Sequence, residues 1–217
     1  MLLDVKKIVV PPGQTVILQD INWTDFEKIL EELGEERSSR IAYDGSTLSI
    51  MTPLPEHEVN KVLIGDLVKI LLEELDTEFW SLASTTFKNK IMQQGIEPDD
   101  CFYIQNESAI RGKDRIDLTV DPVPDLAIEI EVTSRSNLAI YAKLGVKELW
   151  RFDNGKLKID LLQNGVYVSS NNSAIFPNLP ITRIIPEYIA KAKNNGRNKT
   201  IKEFRQWIDT QISNNVN

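Results

Sequence analysis

Of 217 residues only one is cysteine, Cys101, so no disulfide framework can hold this chain together. Histidine is equally scarce, with His57 alone. The two counts exclude the usual Cys/His zinc sites. Any bound metal must therefore be held mainly by oxygen, which points to magnesium, manganese or calcium. No apolar run approaches the roughly 18–20 residues that span a bilayer. The first residues, Met1-Leu2-Leu3-Asp4-Val5-Lys6-Lys7, put charges where a signal peptide needs its apolar stretch. The expectation is a soluble cytoplasmic protein with no membrane contact. Basic and aromatic residues do not interleave as they would in a base-stacking groove, and no internal repeat is present.

Apolar residues make up 41%, enough for a packed core rather than a disordered chain. The net charge of −7 argues against non-specific nucleic-acid binding over the whole surface. From Leu179 onward, however, seven basic residues (Arg183, Lys191, Lys193, Arg197, Lys199, Lys202, Arg205) face three acids (Glu187, Glu203, Asp209), an excess of four positives that leaves −11 on the remainder. Such a tail either contacts phosphates or is the solvated face of two surface helices.

The chain reads as alternating elements. Thr24 to about Glu35 is an amphipathic helix capped by Thr24 or Asp25, with Phe26, Ile29, Leu30 and Leu33 as its stripe. Arg40–Tyr43 and Leu48–Met51 flank Asp44-Gly45, a strong hairpin signal. A second helix follows Thr52-Pro53-Leu54-Pro55 and runs to about Leu75, with Val59, Val62, Leu63, Leu67, Ile70 and Leu71 as its core face. Strands are expected at Phe79–Leu82, Thr85–Lys88 and Cys101–Gln105, a loop at Asn106–Asp114, and a short strand or extended entry at Arg115–Val120. Asn137–Leu144 is a helix ended by Gly145, and Glu148–Phe152 is a strand. Leu157–Leu162 and Val166–Ser169 form a hairpin across Asn164-Gly165. Helices are expected at Pro186–Lys193 and Thr200–Ile212. The pattern predicts one α/β domain with a mixed central sheet flanked by helices.

The stretch that carries chemistry is Pro124-Asp125-Leu126-Ala127-Ile128-Glu129-Ile130-Glu131-Val132-Thr133-Ser134. Ile128, Ile130 and Val132 share one face of a strand, and Glu129 and Glu131 share the other. Carboxylates are unfavourable in a core unless paired, hydrogen-bonded or bound to metal. A second run of similar character, Glu97-Pro98-Asp99-Asp100-Cys101-Phe102-Tyr103-Ile104, lies upstream. Two acid-bearing strands suggest a carboxylate site for a hard metal ion.

These runs stand in a telling order with Tyr43-Asp44-Gly45, Met51-Thr52-Pro53, His57 on a helix, Tyr141-Ala142-Lys143-Leu144-Gly145-Val146 and Glu148-Leu149-Trp150-Arg151-Phe152-Asp153. The ordered set resembles the Uma-type (Uma-two) putative restriction endonuclease family, a domain of unknown function in the PD-(D/E)xK nuclease superfamily. The resemblance covers about residues 20 to 170. It implies a restriction-endonuclease-like α/β fold and metal-dependent phosphodiester hydrolysis, with Mg2+ or Mn2+ as cofactor and DNA as partner. Since restriction-like nucleases often cut duplexes as dimers, it also leaves a homodimer open, although no segment marks an interface. The implied division is an N-terminal extension (residues 1–22), a restriction-endonuclease-like domain (23–170) and a C-terminal helical extension packed on the same domain (171–217).

Carried over residue by residue, the first motif acid matches Asp99 and the second matches Glu129. Glu131 falls where the superfamily pattern places its lysine. Glu58, or alternatively Glu56, matches the acid often carried on the first core helix. The missing lysine would have neutralised charge on the attacking water or the phosphate, and Arg135 and Lys143 are the candidate replacements. An alternative is a catalytically inactive member acting as a nucleic-acid-binding or protein-interaction module. A third reading, a plain structural domain, requires Asp99 and Glu129 to lie far apart. Single residues carry ordinary readings too. Asp99 and Glu129 can belong to a structural ion pair, Glu131 to a surface, and Asp125 to the turn into its strand. Asp100 is expected to be exposed beside Asp99. His57 reads as a helix N-terminal residue or an accessory group near phosphate. Cys101 reads as a buried hydrophobe rather than a nucleophile, and Trp150, Phe152, Tyr141 and Phe102 as core.

Overall fold

The computed structural model describes residues 7–34, 37–131 and 136–215. Two sheets divide the strands. The first is antiparallel throughout and has the order β1 (Thr15–Leu18), β3 (Leu48–Met51), β2 (Arg40–Tyr43), β6 (Gln94–Ile96), β5 (Phe87–Asn89). The second has the order β11 (Val166–Ser170), β10 (Lys156–Gln163), β9 (Glu148–Asp153), β8 (Leu126–Ile130), β7 (Asp100–Tyr103), β4 (Trp80–Ser81). It is mixed, because β8 and β9 run parallel while its other pairs are antiparallel. The helices are α1 (Trp23–Leu33), α2 (Pro55–Glu74), the short α3 (Glu107–Ile110), α4 (Leu138–Leu144), α5 (Ile181–Asn195) and α6 (Arg197–Asn215). The fold is a mixed α/β arrangement flanked by helices, with two sheets in place of the single mixed sheet expected.

The split has a local cause at Glu97-Pro98-Asp99. The Glu97 amide still donates to Ile41 O of the first sheet at 3.1 Å. The Asp99 amide donates to Ile128 O of the second sheet, also at 3.1 Å. Pro98 between them has no N–H to give either ladder. The proline is thus the point where the chain changes sheets, and Asp99 is the first residue beyond it.

Strand β8 is covered on both faces. Leu126, Ile128 and Ile130 pack against Ile64, Leu67 and Leu71 of α2 and against residues of α5 and α6, among them Ile185 and Phe204. Ala127 points the other way, toward Phe87, Ile96, Tyr141 and Leu144. Side chains alternate along a strand, so Glu129 lies on this second face, under the first sheet and α4. A third cluster backs the first sheet, where Phe26 stacks on Tyr43 at 4.4 Å. A Cβ on Gly95 would sit 2.6 Å from Phe26 Cζ, so only glycine allows this ring against β6.

Several expectations change in detail. Asn22, not Thr24 or Asp25, caps α1, its side chain accepting from the Asp25 amide at 3.0 Å. Residues 15–18, read as part of an extension, form β1 and pair with β3. The stretch Arg115–Val120 is turn rather than strand. Val59 and Val62 of α2 are exposed. Leu63, Leu67, Ile70 and Leu71 are buried as expected, and the inward face also takes in His57, Asn60, Ile64 and Val68. Three residues of the basic tail dock on the acids of α2 while remaining partly exposed. Lys193 meets Glu56 at 3.4 Å, Arg197 meets Asp66 at 2.7 Å, and Arg205 bridges Glu73 (2.8 Å) and Glu74. Among the described residues no helix is long and apolar enough to cross a membrane.

Candidate active site

Asp99 and Glu129 come together. The Asp99 amide pairs with Ile128 O, and its Oδ2 accepts from the Ile130 amide at 2.7 Å. The carboxylate thus straddles Glu129 along the edge of β8. Asp99 is buried, and so is His57, whose Nε2 lies 3.0 Å from Asp99 Oδ2. Neither ring nitrogen of His57 has a well-directed hydrogen bond, so the contact is electrostatic proximity rather than a formed bond. His57 lies in the first turn of α2, whose buried stripe turns it against Asp99.

Glu129 faces a cleft of about 380 Å³ between the two sheets. Arg40, Asp44, Thr47 and Ser49 line it from the first sheet and its β2–β3 turn; Glu129, Ser136, Asn137 and Ile140 line it from the second side. The Tyr141 hydroxyl donates to Glu129 Oε1. Burial pushes the Glu129 carboxyl well above its ordinary range. The charge of Asp99, a hydrogen bond shared with it and the charge of Glu131 push the same way, against Tyr141, which favours the carboxylate. Two carboxylates thus compete for one poorly solvated site. The two acids do not lie far apart, as the plain structural reading required.

The other candidates fall into separate groups. Glu58 is partly exposed and joins the edge of the site through basic neighbours. Lys61 Nζ lies 3.1 Å from its Oε2, Arg40 Nη2 3.7 Å from its Oε1, and His57 Nδ1 3.4 Å from the same oxygen. Glu56 is drawn away to Lys193. Glu131 is buried and tied elsewhere: its Oε1 accepts from the Ser136 amide at 3.0 Å and lies 3.5 Å from Arg151 Nη1. Asp125 is a turn residue, accepting from the Ile104 and Asn106 amides at 2.8 and 3.0 Å and from Asn106 Nδ2 at 2.8 Å. Lys143 is exposed on α4, and its charge acts on Asp44 of the β2–β3 turn. Arg135 lies outside the described residues. Asp100, expected at the surface, is buried; its Oδ1 takes the Cys101 amide (2.8 Å) and the Ser81 hydroxyl (3.1 Å). Cys101 is buried in the core, where burial raises its thiol.

Sequence reasoning missed Arg40. Its Nε approaches Asp99 Oδ1 at 4.0 Å, and it lines the cleft with Glu129. It stands at a strand start with no local motif around it, so only the pairing of the sheets reveals it.

Among the described residues no three His, Cys, Asp or Glu side chains converge as a ready metal cage. The pair Asp99–Glu129 still fits a hard divalent ion. Its donors are all oxygen, and Mg2+ is commonly held by one or two carboxylates together with water and substrate phosphate. The chain thus presents a mixed α/β fold in which Glu129 lines an inter-sheet cleft and Asp99 is buried beside it. A family model described as "Uma2: Putative restriction endonuclease" matches residues 23–190, and the chain belongs to that family. A solved structure, a putative nuclease belonging to DUF820 from Anabaena variabilis ATCC 29413, is similar at 16% identity, covering 70% of this chain and 87% of that one with a TM-score of 0.49. No curated protein matches the chain.

Proposed function

We propose that the chain is a metal-dependent endonuclease that hydrolyses phosphodiester bonds in DNA. The observation that carries this reading is the meeting of Asp99 with Glu129, which lines the cleft and whose ionisation is made unfavourable by burial and by the Asp99 charge. Such a pair is stable with both charges only when a cation joins it. Asp99 and Glu129 would hold Mg2+ or Mn2+, which when bound would polarise the phosphodiester and lower the pKa of its attacking water. Family membership supports the same reaction class.

The chain's own residues have distinct parts in this reading. The Ile130 amide and His57 fix the direction of the Asp99 carboxylate. Tyr141 holds Glu129 and favours its charged form. Glu58 and Glu131 are assisting acids, each already partly neutralised by a basic neighbour. The inter-sheet cleft would give the sugar-phosphate chain a path past Glu129.

The test is cleavage of supercoiled plasmid in magnesium or manganese by the wild type, Asp99→Ala and Glu129→Ala. Metal-dependent cutting that falls at least about a hundredfold in both variants is expected. Linear product would indicate two copies acting together, whereas nicked circles would indicate one. Absence of cutting with DNA binding retained would favour the inactive, nucleic-acid-binding alternative. Cutting that survives both substitutions would refute the assignment.

A further inference from the structure

Arg40 begins β2, and its side chain is only 17% exposed. It enters the cleft from the first sheet, opposite the acids of the second. Its contacts are two loose approaches, Nη2 to Glu58 Oε1 at 3.7 Å and Nε to Asp99 Oδ1 at 4.0 Å. Among the described residues its guanidinium makes no hydrogen bond, and Nε is buried without a partner. Guanidinium carries five N–H donors in a rigid fork, and buried polar groups are nearly always bonded.

The neighbouring cations behave differently. Lys61 is satisfied by Glu58 and Ser84, each at 3.1 Å. Arg151 makes a two-pronged contact with Asp160, both prongs at 2.7 Å. Arg37 bonds Glu97. A guanidinium that served only to neutralise carboxylates would close on them in the same way, at about 2.7–2.9 Å. Arg40 stands back from both acids and keeps its donors unspent beside Glu129.

We propose that Arg40 is a phosphate-binding catalytic residue. It donates to a non-bridging oxygen of the phosphodiester lying in the cleft. In doing so it supplies, from β2, the positive charge that β8 lacks where Glu131 stands in place of lysine. The inference rests on the nuclease reading for its catalytic part, but the phosphate contact can be tested separately. Arginine stays protonated throughout. Arg40 therefore takes no proton from water; it binds the phosphate and stabilises the negative charge that grows on it.

The experiment compares the full-length wild type with Arg40→Gln and Arg40→Lys. Each is first checked for a cooperative thermal transition. Duplex affinity is then followed by fluorescence anisotropy against salt concentration in calcium, Mn2+ affinity by calorimetry, and single-turnover cleavage in manganese. Loss of one phosphate contact lowers the slope of log affinity against log salt by about one. Arg40→Gln is expected to show that drop, with Mn2+ binding retained and cleavage reduced at least about a hundredfold. Arg40→Lys keeps the charge without the fork, so its slope should stay near wild type while cleavage still falls. If the wild type binds duplex without cutting it, the nuclease reading fails, and the slope of Arg40→Gln alone decides the phosphate contact. An unchanged slope in Arg40→Gln, with altered Mn2+ affinity, would make Arg40 a mere counter-charge to Asp99 and Glu58. Absence of any salt-dependent duplex binding by the wild type would overturn the proposal as well.

Discussion

Replacing Glu129 by glutamine removes a charge and almost no volume, and leaves an oxygen to accept from Tyr141. Its effect on stability follows from the direction in which the site drives the carboxyl. Glu129 holds its proton well above the ordinary value of 4.5 because burial and the Asp99 charge disfavour the carboxylate. Between 4.5 and the raised value the folded chain binds a proton that the unfolded chain has already released. Wild-type stability therefore falls as pH rises through this window, by about 1.4 kcal/mol per pH unit from this one group. Below 4.5 both states are protonated and the contribution vanishes. For a chain of this size the slope corresponds to about 3–6 °C of Tm per pH unit. The Glu129→Gln chain lacks it. In EDTA, scanning calorimetry from acid to mildly alkaline pH should show the variant's Tm lead growing at that rate and levelling off above the raised pKa. Manganese should narrow the lead, because an ion bound only by the folded wild type stabilises it. A Tm difference that stays constant with pH would refute the coupling of Glu129 to Asp99.

Two further outcomes follow from the same packing. Cys101, its thiol raised by burial and by the charge of Asp100, should react with a disulfide reagent only after unfolding, and Cys101→Ala should leave DNA cleavage intact. Fast labelling of the native thiol would contradict its position in the core. Replacing Arg197 and Arg205 by alanine should cost about 1 kcal/mol or less for each exposed pair and leave the salt slope of duplex binding unchanged. A reduced slope would move the basic tail from α2 onto the phosphates.

Local signals in the sequence read through to the structure where the backbone itself imposes a constraint. Asn164 and Gly165 take φ of +50° and +81°, and the hairpin predicted across them is present as β10 and β11. The alternation of isoleucine and glutamate in β8 put Glu129 on the face that meets the cleft. Gln94–Ile96 escaped notice because three residues with a central glycine show no period, and its strand exists through pairing with β2 and β5. The start of α5 was hidden by Pro180 and Pro186, which read as breakers although the helix begins between them at Ile181. His57 had a usable signal. Extending the α2 stripe backward from Ile64 reaches Asn60 and His57, but the two valines at 59 and 62 drew the helix face the wrong way. For Arg40 no such signal existed, since its part in the site depends on how the two sheets are apposed.

The claim on which the functional account stands is that Asp99 and Glu129 form a single divalent-ion site. Titration calorimetry of Mn2+ into the metal-free wild type, Asp99→Asn and Glu129→Gln tests it directly. The account predicts one ion per chain in the wild type and no measurable binding in either variant, with both variants still folded. Equal binding in all three would contradict it.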